Sequence, residues 1–230
     1  MEWTWKDPEK GALGLRYEPG NWGDILKGEW LCCWLEHWPA QHLHYRDPFC
    51  GLQGYPLSQS TRQRIEQAPV PRYRSHLDAD RLPSSAQLVS RQAGRAGVVV
   101  QQHLSDRESD PLKSLQDGDL LLFDPYDFFE NWRSWTPALL EWARRADALI
   151  YLYNKSPRGV GQFRNYQALR QAFREAEPWV GRVAADGCLP RAWHEVWLVG
   201  PRTAGAALRS QLERSTRELY CHVLAPGAFE

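Results

Sequence analysis

The chain has 230 residues and a mass of 26.6 kDa, with 43% apolar residues, 24% charged residues, and 28 basic against 28 acidic side chains. A chain this long buries roughly 70% of its unfolded surface and can hold a core without disulfides or metal, which excludes the disordered and fibrous classes. The even charge gives no global field toward nucleic acid or membrane, and no apolar run reaches even half the ~18 residues of a membrane-spanning helix.

Five cysteines, at 32, 33, 50, 188 and 221, form no C-x-x-C pair and read as free thiols in a reducing compartment. The opening Met-Glu-Trp-Thr-Trp-Lys lacks the basic-then-apolar layout of a signal peptide, so a soluble, cytoplasmic protein is expected. Residues 1–20 carry three Gly and two Pro without periodicity and read as an irregular arm. Residues 21–230 read as one domain.

Asn21 has the chemistry of an N-cap with Asp24 three residues on, and apolar residues then follow helical spacing to Trp38 before Pro39. The Trp30/Trp34/Trp38 stripe is expected to pack this helix, 21–38, against the domain. Strand and helix signals alternate after it. Strands are expected at His42–Arg46, Arg72–Leu77, Gly97–Gln102, Asp119–Phe123, Ala148–Tyr153, Trp193–Val199 and Leu219–Leu224. Helices are expected at Leu57–Gln67, Ser84–Gln92, Pro137–Ala146, Gly161–Ala176 and Ala204–Arg217. Arg182–Pro190 gives no clear signal. Strands separated by single helices predict an α/β fold, a doubly wound, mostly parallel sheet with helices on both faces.

Ligands of such sheets bind beyond the carboxyl ends of the strands, and four successive expected strands run to an acid: Asp47, Asp78, Asp106 and Asp124. After Asp47, Gly51 and Gly54 allow a tight turn and a close backbone approach to a ligand. Asp78, 24 residues past Gly54, suits the spacing at which an acid reaches a ribose, with Asp80 as an alternative. Asp106 is placed to reach an adenine edge. No phosphate-binding glycine motif and no hydrolase elbow occurs. His42 and His44 share a strand face without a third ligand and read as satisfied or exposed histidines. Arg62, Arg64, Arg72 and Arg74 read either as a patch for an RNA backbone or as a solvated polar face.

On Gly20-Asn21-Trp22-Gly23-Asp24-Ile25-Leu26-Lys27, the Asp47–Tyr55 loop and Asp124-Pro125-Tyr126-Asp127, the chain resembles the class I S-adenosylmethionine-dependent methyltransferases. It is most similar to the family of large-subunit ribosomal RNA adenine methyltransferase J, whose motifs are G-N-x-x-D-x-L-K, an Asp-led glycine loop closed by Tyr, and D-P-P-Y. The resemblance implies a Rossmann-like methyltransferase sheet, S-adenosylmethionine as cofactor, RNA as partner and an adenine amino group as target. It implies Lys27, Asp47, Gly51, Gly54, Asp78 and Asp106 on the cofactor. It also implies Asp124, Pro125 and Tyr126 at the reacting base. A carboxylate and a backbone carbonyl accept hydrogen bonds from the amine while a ring (Tyr126, Phe128 or Phe129) stacks on the base. The chain departs from the family at four points. One proline of D-P-P-Y is missing, Gly28 and Phe49 stand where the family has histidines, and Gln53 takes the usual place of the second loop glycine. The alternative expectation is a catalytically inactive relative serving as a binding or scaffolding module.

Overall fold

The computed structural model describes residues 19–50, 54–104, 119–124, 128–155, 160–184, 192–199 and 206–223. Asn21 caps the first helix, α1 (Trp22–Glu36), accepting from the amides of Gly23 at 2.8 Å and Asp24 at 3.1 Å. Asp24 reaches back to the Gly20 amide at 2.9 Å, one residue earlier than a capping box would. Ile25, Leu26, Trp30, Leu31, Trp34 and Leu35 are all buried, and a helix apolar on every side must be enclosed. The tryptophan stripe therefore lies in the core, with the Trp30 indole N–H donating to Thr216 Oγ1 at 2.9 Å and Trp38 half-buried.

The chain continues through β1 (His42–Asp47), β2 (Tyr55–Pro56), α2 (Gln59–Gln67), α3 (Pro71–Arg74), β3 (Arg81–Leu82), α4 (Ser85–Ala96) and β4 (Val99–Leu104). It then forms β5 (Leu120–Phe123), α5 (Phe128–Trp142), β6 (Asp147–Lys155), α6 (Val160–Ala172), β7 (Trp179–Ala184), β8 (Ala192–Val199) and α7 (Ala206–Val223). Six strands form one sheet in the order β4-β1-β5-β6-β8-β7, and β2 pairs with β3 in a separate short ribbon. β4, β1, β5 and β6 are parallel, and β8 runs against both of its neighbours. From β1 the chain moves outward to β4, then returns to the other side of β1 as β5, so the winding reverses between β1 and β5. Residues alternate across β5. Leu120 and Leu122 join the core layer of α1, while Leu121 and Phe123 join the layer of α5 and α6. This is the doubly wound, mostly parallel Rossmann-like sheet expected from the sequence.

Two expected strands are corrected. Arg72–Leu77 is a single helical turn, α3, followed by a loop. Pro71 occupies the first helical position, and the Tyr73 amide is held by the buried Glu29 carboxylate at 3.0 Å. Its alternation of arginine with Tyr73 and Leu77 mimics a strand, but no sheet partner exists for it among the described residues. Leu219–Leu224 is likewise no strand, since α7 continues to Val223. Leu208, Leu212, Ser215 and Leu219 are buried at helical spacing and hold that last stretch against the sheet. The final strand pair is instead β7–β8, whose first strand, Trp179–Ala184, lies beyond the expected helix Gly161–Ala176 in a stretch with no expected element. The expected helix start at Pro137 falls inside α5.

Candidate functional site

Asp47 and Asp124 stand at the carboxyl ends of β1 and β5, the neighbouring parallel strands between which the winding reverses. That is where a doubly wound sheet opens its crevice. The second turn of α1 closes over this point. Lys27 Nζ donates to Asp124 Oδ2 and lies 3.1 Å from Asp24 Oδ1, whose residue is one turn earlier on the same helix face. The ammonium also sits 4.9 Å from the centroid of the Tyr151 ring, on β6. Lys27 and Asp24 side chains are 15% exposed and Asp124 is 24% exposed.

Asp47 lies deeper. Its Oδ2 accepts from the Tyr45 hydroxyl at 2.9 Å and from the Ser85 hydroxyl, and its Oδ1 accepts from the Phe49 amide at 3.3 Å. Ser85 opens α4, so the capping box of Ser84 and Gln87 that starts this helix also fixes the hydroxyl on the carboxylate. Asp24, Lys27, Asp47, Ser85 and Asp124 share one cavity of about 70 Å³, whose far wall includes Tyr73 and Leu82.

Three carboxylates thus face one ammonium. Burial alone would pull the Lys27 ammonium down, but Asp124, Asp24 and Tyr151 outweigh it and hold the group well above its usual value. Burial pushes the Asp124 carboxyl up to about 6; Lys27 opposes this, while the charges of Asp24 and Asp47 reinforce it. Burial also raises Asp47, against the pull of its hydroxyl donors and Lys27. The cavity holds three carboxyl groups and one ammonium.

The structure brings together three residues of the expected constellation: Lys27, Asp47 and Asp124. Gly54 precedes the cavity-lining Tyr55 and packs against Leu82 and Gln87 without lining the cavity itself. Its φ of +87° is a backbone state that side-chain-bearing residues avoid. Asp78 is elsewhere. It lies in the loop after α3, paired through both oxygens with Arg91 at 2.7 and 3.1 Å, and this arginine holds its carboxyl below the usual range. Neither Asp78 nor Asp80 lines the cavity. Gly51, Asp106, Pro125 and Tyr126 lie outside the described residues. With Arg72–Leu77 out of the sheet, the strand beside β1 is β4, which ends two residues before Asp106 in the sequence.

The four arginines weighed as an RNA patch are engaged within the chain. Arg62 donates to the Asp78 carbonyl at 3.0 Å, Arg64 to the Gly20 carbonyl at 2.8 Å and Arg74 to the Glu66 carbonyl at 2.6 Å. Arg72 pairs with Glu29 at 3.0 Å and Glu36 at 2.6 Å. His44 stacks on His103 of β4 with its Nδ1 3.3 Å from Nε2, and the described residues contain no cluster of three metal-ligating side chains. No helix among them is long and apolar enough to cross a membrane.

Two departures from the family pattern acquire a physical cause. A Cβ on Gly28 would come 2.5 Å from the Tyr73 ring, so the space of a longer side chain is taken by Tyr73. Phe49, which lines the cavity, forms an edge-to-face trio with Phe123 and Trp135, at 5.2 to 5.9 Å, so its ring is held by the core layer of α5. Sequence reasoning passed over Tyr45, Ser85 and Tyr151 as members of the site. It also missed Asp24 as the second carboxylate on Lys27, although the i, i+3 spacing carried that signal.

No protein-family model matches the chain, and no curated protein does. Solved structures do. Protein LPL1258 from Legionella pneumophila str. Philadelphia 1, given under the family model DUF519, is similar with a TM-score of 0.58 at 13% identity, over 88% of this chain and 94% of its own. The METTL16 MTase domain aligns with a TM-score of 0.34 at 12% identity, over 74% of this chain and 65% of its own, and a likeness that slight carries no argument. The likeness to LPL1258 shows a shared fold, the doubly wound α/β sheet described above.

Proposed function

We propose that the chain is an S-adenosylmethionine-dependent methyltransferase acting on an adenine amino group in RNA, with ribosomal RNA as one candidate. The observation that carries the reading is the meeting of Lys27, Asp47 and Asp124 at the β1/β5 reversal. The donor set fits the amino-acid end of the cofactor: a carboxylate suits Lys27, while an ammonium and a sulfonium suit a cavity with three carboxylates and one cation. Asp106, in the sequence just beyond β4, is assigned to the nucleoside in place of Asp78. When bound, the cofactor supplies an electrophilic methyl group.

The chain's own residues do the rest. An adenine amine is a poor nucleophile because its lone pair is delocalised into the ring, and Asp124 as hydrogen-bond acceptor localises that pair. The Pro125 carbonyl is assigned as the second acceptor and Tyr126 as the stacking ring. Asp47, fixed by two hydroxyls and an amide, holds the loop that leads to Gly54. Tyr73 and Phe49, from the two core layers, line the cavity and limit the room for water in it.

The test is transfer of radiolabelled methyl from S-adenosylmethionine to total RNA of cells lacking the protein. Labelled N6-methyladenosine that disappears with Asp124→Ala is the expected result. A second reading, a non-catalytic methyltransferase-like binding module, draws on the Lys27–Asp124 pair, which occupies the acceptor in this structure. Cofactor binding without labelled RNA would favour it.

A further inference from the structure

In the structure Asp124, the proposed acceptor of the target amine, is already taken. Its Oδ2 holds Lys27 Nζ, and a carboxylate spent on an ammonium is a poorer acceptor for a neutral amine. Lys27 does not depend on it, since Asp24 holds the same ammonium at 3.1 Å and the Tyr151 ring supports it from β6. Lys27 is thus a cation on a pivot between α1 and β5, inside the cavity assigned to the cofactor. Resting on the methyltransferase reading, we propose that Lys27 is a positioning residue that exchanges Asp124 for the carboxylate of the cofactor, so that cofactor binding frees Asp124 for the target base. Cofactor then binds before RNA, and the unloaded protein holds its own acceptor shut.

The exchange has a signature in protons. Among the described residues, the charged or titratable groups around Asp124 are Asp24 and Lys27 on α1, Asp47 and Tyr45 on β1, Tyr55 on β2, Tyr73 on α3 and Tyr151 on β6. Tyr151 is in turn bound to His194 Nδ1 of β8 at 2.6 Å. Lys27 is the cation that holds the Asp124 carboxyl down, against burial and two neighbouring carboxylates. When Lys27 turns to a ligand carboxylate, Asp124 binds a proton more tightly. S-adenosylhomocysteine is the informative probe, because its thioether brings no compensating sulfonium charge.

A rise of one unit from about 6 implies uptake of about half a proton per ligand at pH 6.5 and almost none at pH 8.5. Calorimetry with S-adenosylhomocysteine, in two buffers of different ionisation enthalpy at each pH, reads this directly. Lys27→Gln is expected to abolish the uptake and weaken the ligand by about tenfold or more, and Lys27→Arg to restore both in part. Asp124→Asn is expected to abolish the uptake yet tighten the ligand several-fold, because it removes the competitor for Lys27. A merely structural pair would not produce that gain. Binding without proton uptake, or Asp124→Asn binding no more tightly than the wild type while unfolding at a comparable temperature, overturns the exchange and leaves the methyltransferase reading in place. No heat of binding at either pH removes that reading and the exchange with it.

Discussion

Arg72→Met tests the contact that makes α3 a helical turn instead of a strand. Arg72 reaches Glu29 from Nη1 at 3.0 Å, Glu36 from Nε at 2.6 Å and Gln211 Oε1 from Nη2 at 2.6 Å, tying α3 to α1 and α7. Glu29 is 1% exposed, and its other oxygen accepts the Tyr73 amide at 3.0 Å. Truncating the arginine leaves a buried carboxylate with a single backbone donor. Removing one partner of a buried pair costs ~3–5 kcal/mol, and because Arg72 is itself 24% exposed water can follow, so a loss of ~2–3 kcal/mol is expected. At ~2–4 °C per kcal/mol for a chain of this size, Tm should fall by roughly 4–12 °C.

The pH dependence fixes the cause. Burial already holds the Glu29 carboxyl above its usual value, against the pull of the Tyr73 amide and Arg72, and without Arg72 it rises further. A carboxyl that binds its proton more tightly in the folded than in the unfolded state destabilises the fold at a pH above both values. The penalty fades as pH falls toward the unfolded value near ~4.3. Urea unfolding should therefore show the full loss at pH 8 and a smaller one at pH 5, with Glu29→Gln partly restoring Arg72→Met. A loss below ~0.5 kcal/mol, within the range of an ordinary surface change, or an equal loss at both pH values, would refute the reasoning.

Asp78→Ala is expected to leave S-adenosylhomocysteine affinity unchanged, because its partner is Arg91 at the surface and not the cavity. A clear loss of affinity by calorimetry would return Asp78 to the site. Gly28→Ala should destabilise by ~1–3 kcal/mol in thermal melts by driving a methyl into the Tyr73 ring, and Tyr73→Leu in the same chain should recover part of the loss.

The parts of the fold legible in the sequence are those whose signal is local. Asn21 announced α1 because capping chemistry is carried by one side chain, and Asp124 was readable as a strand end because it follows the apolar run Leu120–Phe123. The rest depended on contacts distant in sequence. Tyr73 alternates with arginines like a strand residue, but Pro71 and Glu29, 44 residues from Tyr73, decide the matter in favour of a turn. Leu219 has the neighbours of a strand residue, yet it continues the buried face that Leu208 and Leu212 begin, so α7 does not stop. Reading Arg72–Leu77 as a strand shifted the count of strand ends and put Asp78 where the sheet has β4. The site's central pair, Lys27 with Asp124, spans 97 residues. Each member was visible, and their contact was not.

That pair is also where stability and function part. A salt bridge kept for stability would match one cation to one carboxylate, whereas Lys27 faces Asp24, Asp47 and Asp124 in one cavity, with side chains of the Lys27–Asp124 pair 15% and 24% exposed. Asp124 accordingly sits at about 6 where an unfolded aspartate sits near ~3.9. Its folded-state value is the higher of the two, so the ionised carboxylate costs stability at pH 7, and the cost disappears as pH falls below both values. Two units correspond to at most ~3 kcal/mol, and partial exposure together with the retained Lys27 contact brings this to ~1–2 kcal/mol. Asparagine keeps the shape and can still accept from Lys27, which stays paired with Asp24. Asp124→Asn should therefore raise the unfolding midpoint at pH 7 by roughly 2–8 °C, with the gain shrinking toward pH 4. Proteins give up stability in this way where a charge is held for chemistry. If the variant is instead less stable at pH 7, the pair holds the fold together, and Asp124 has no strain to release when the cofactor draws Lys27 away.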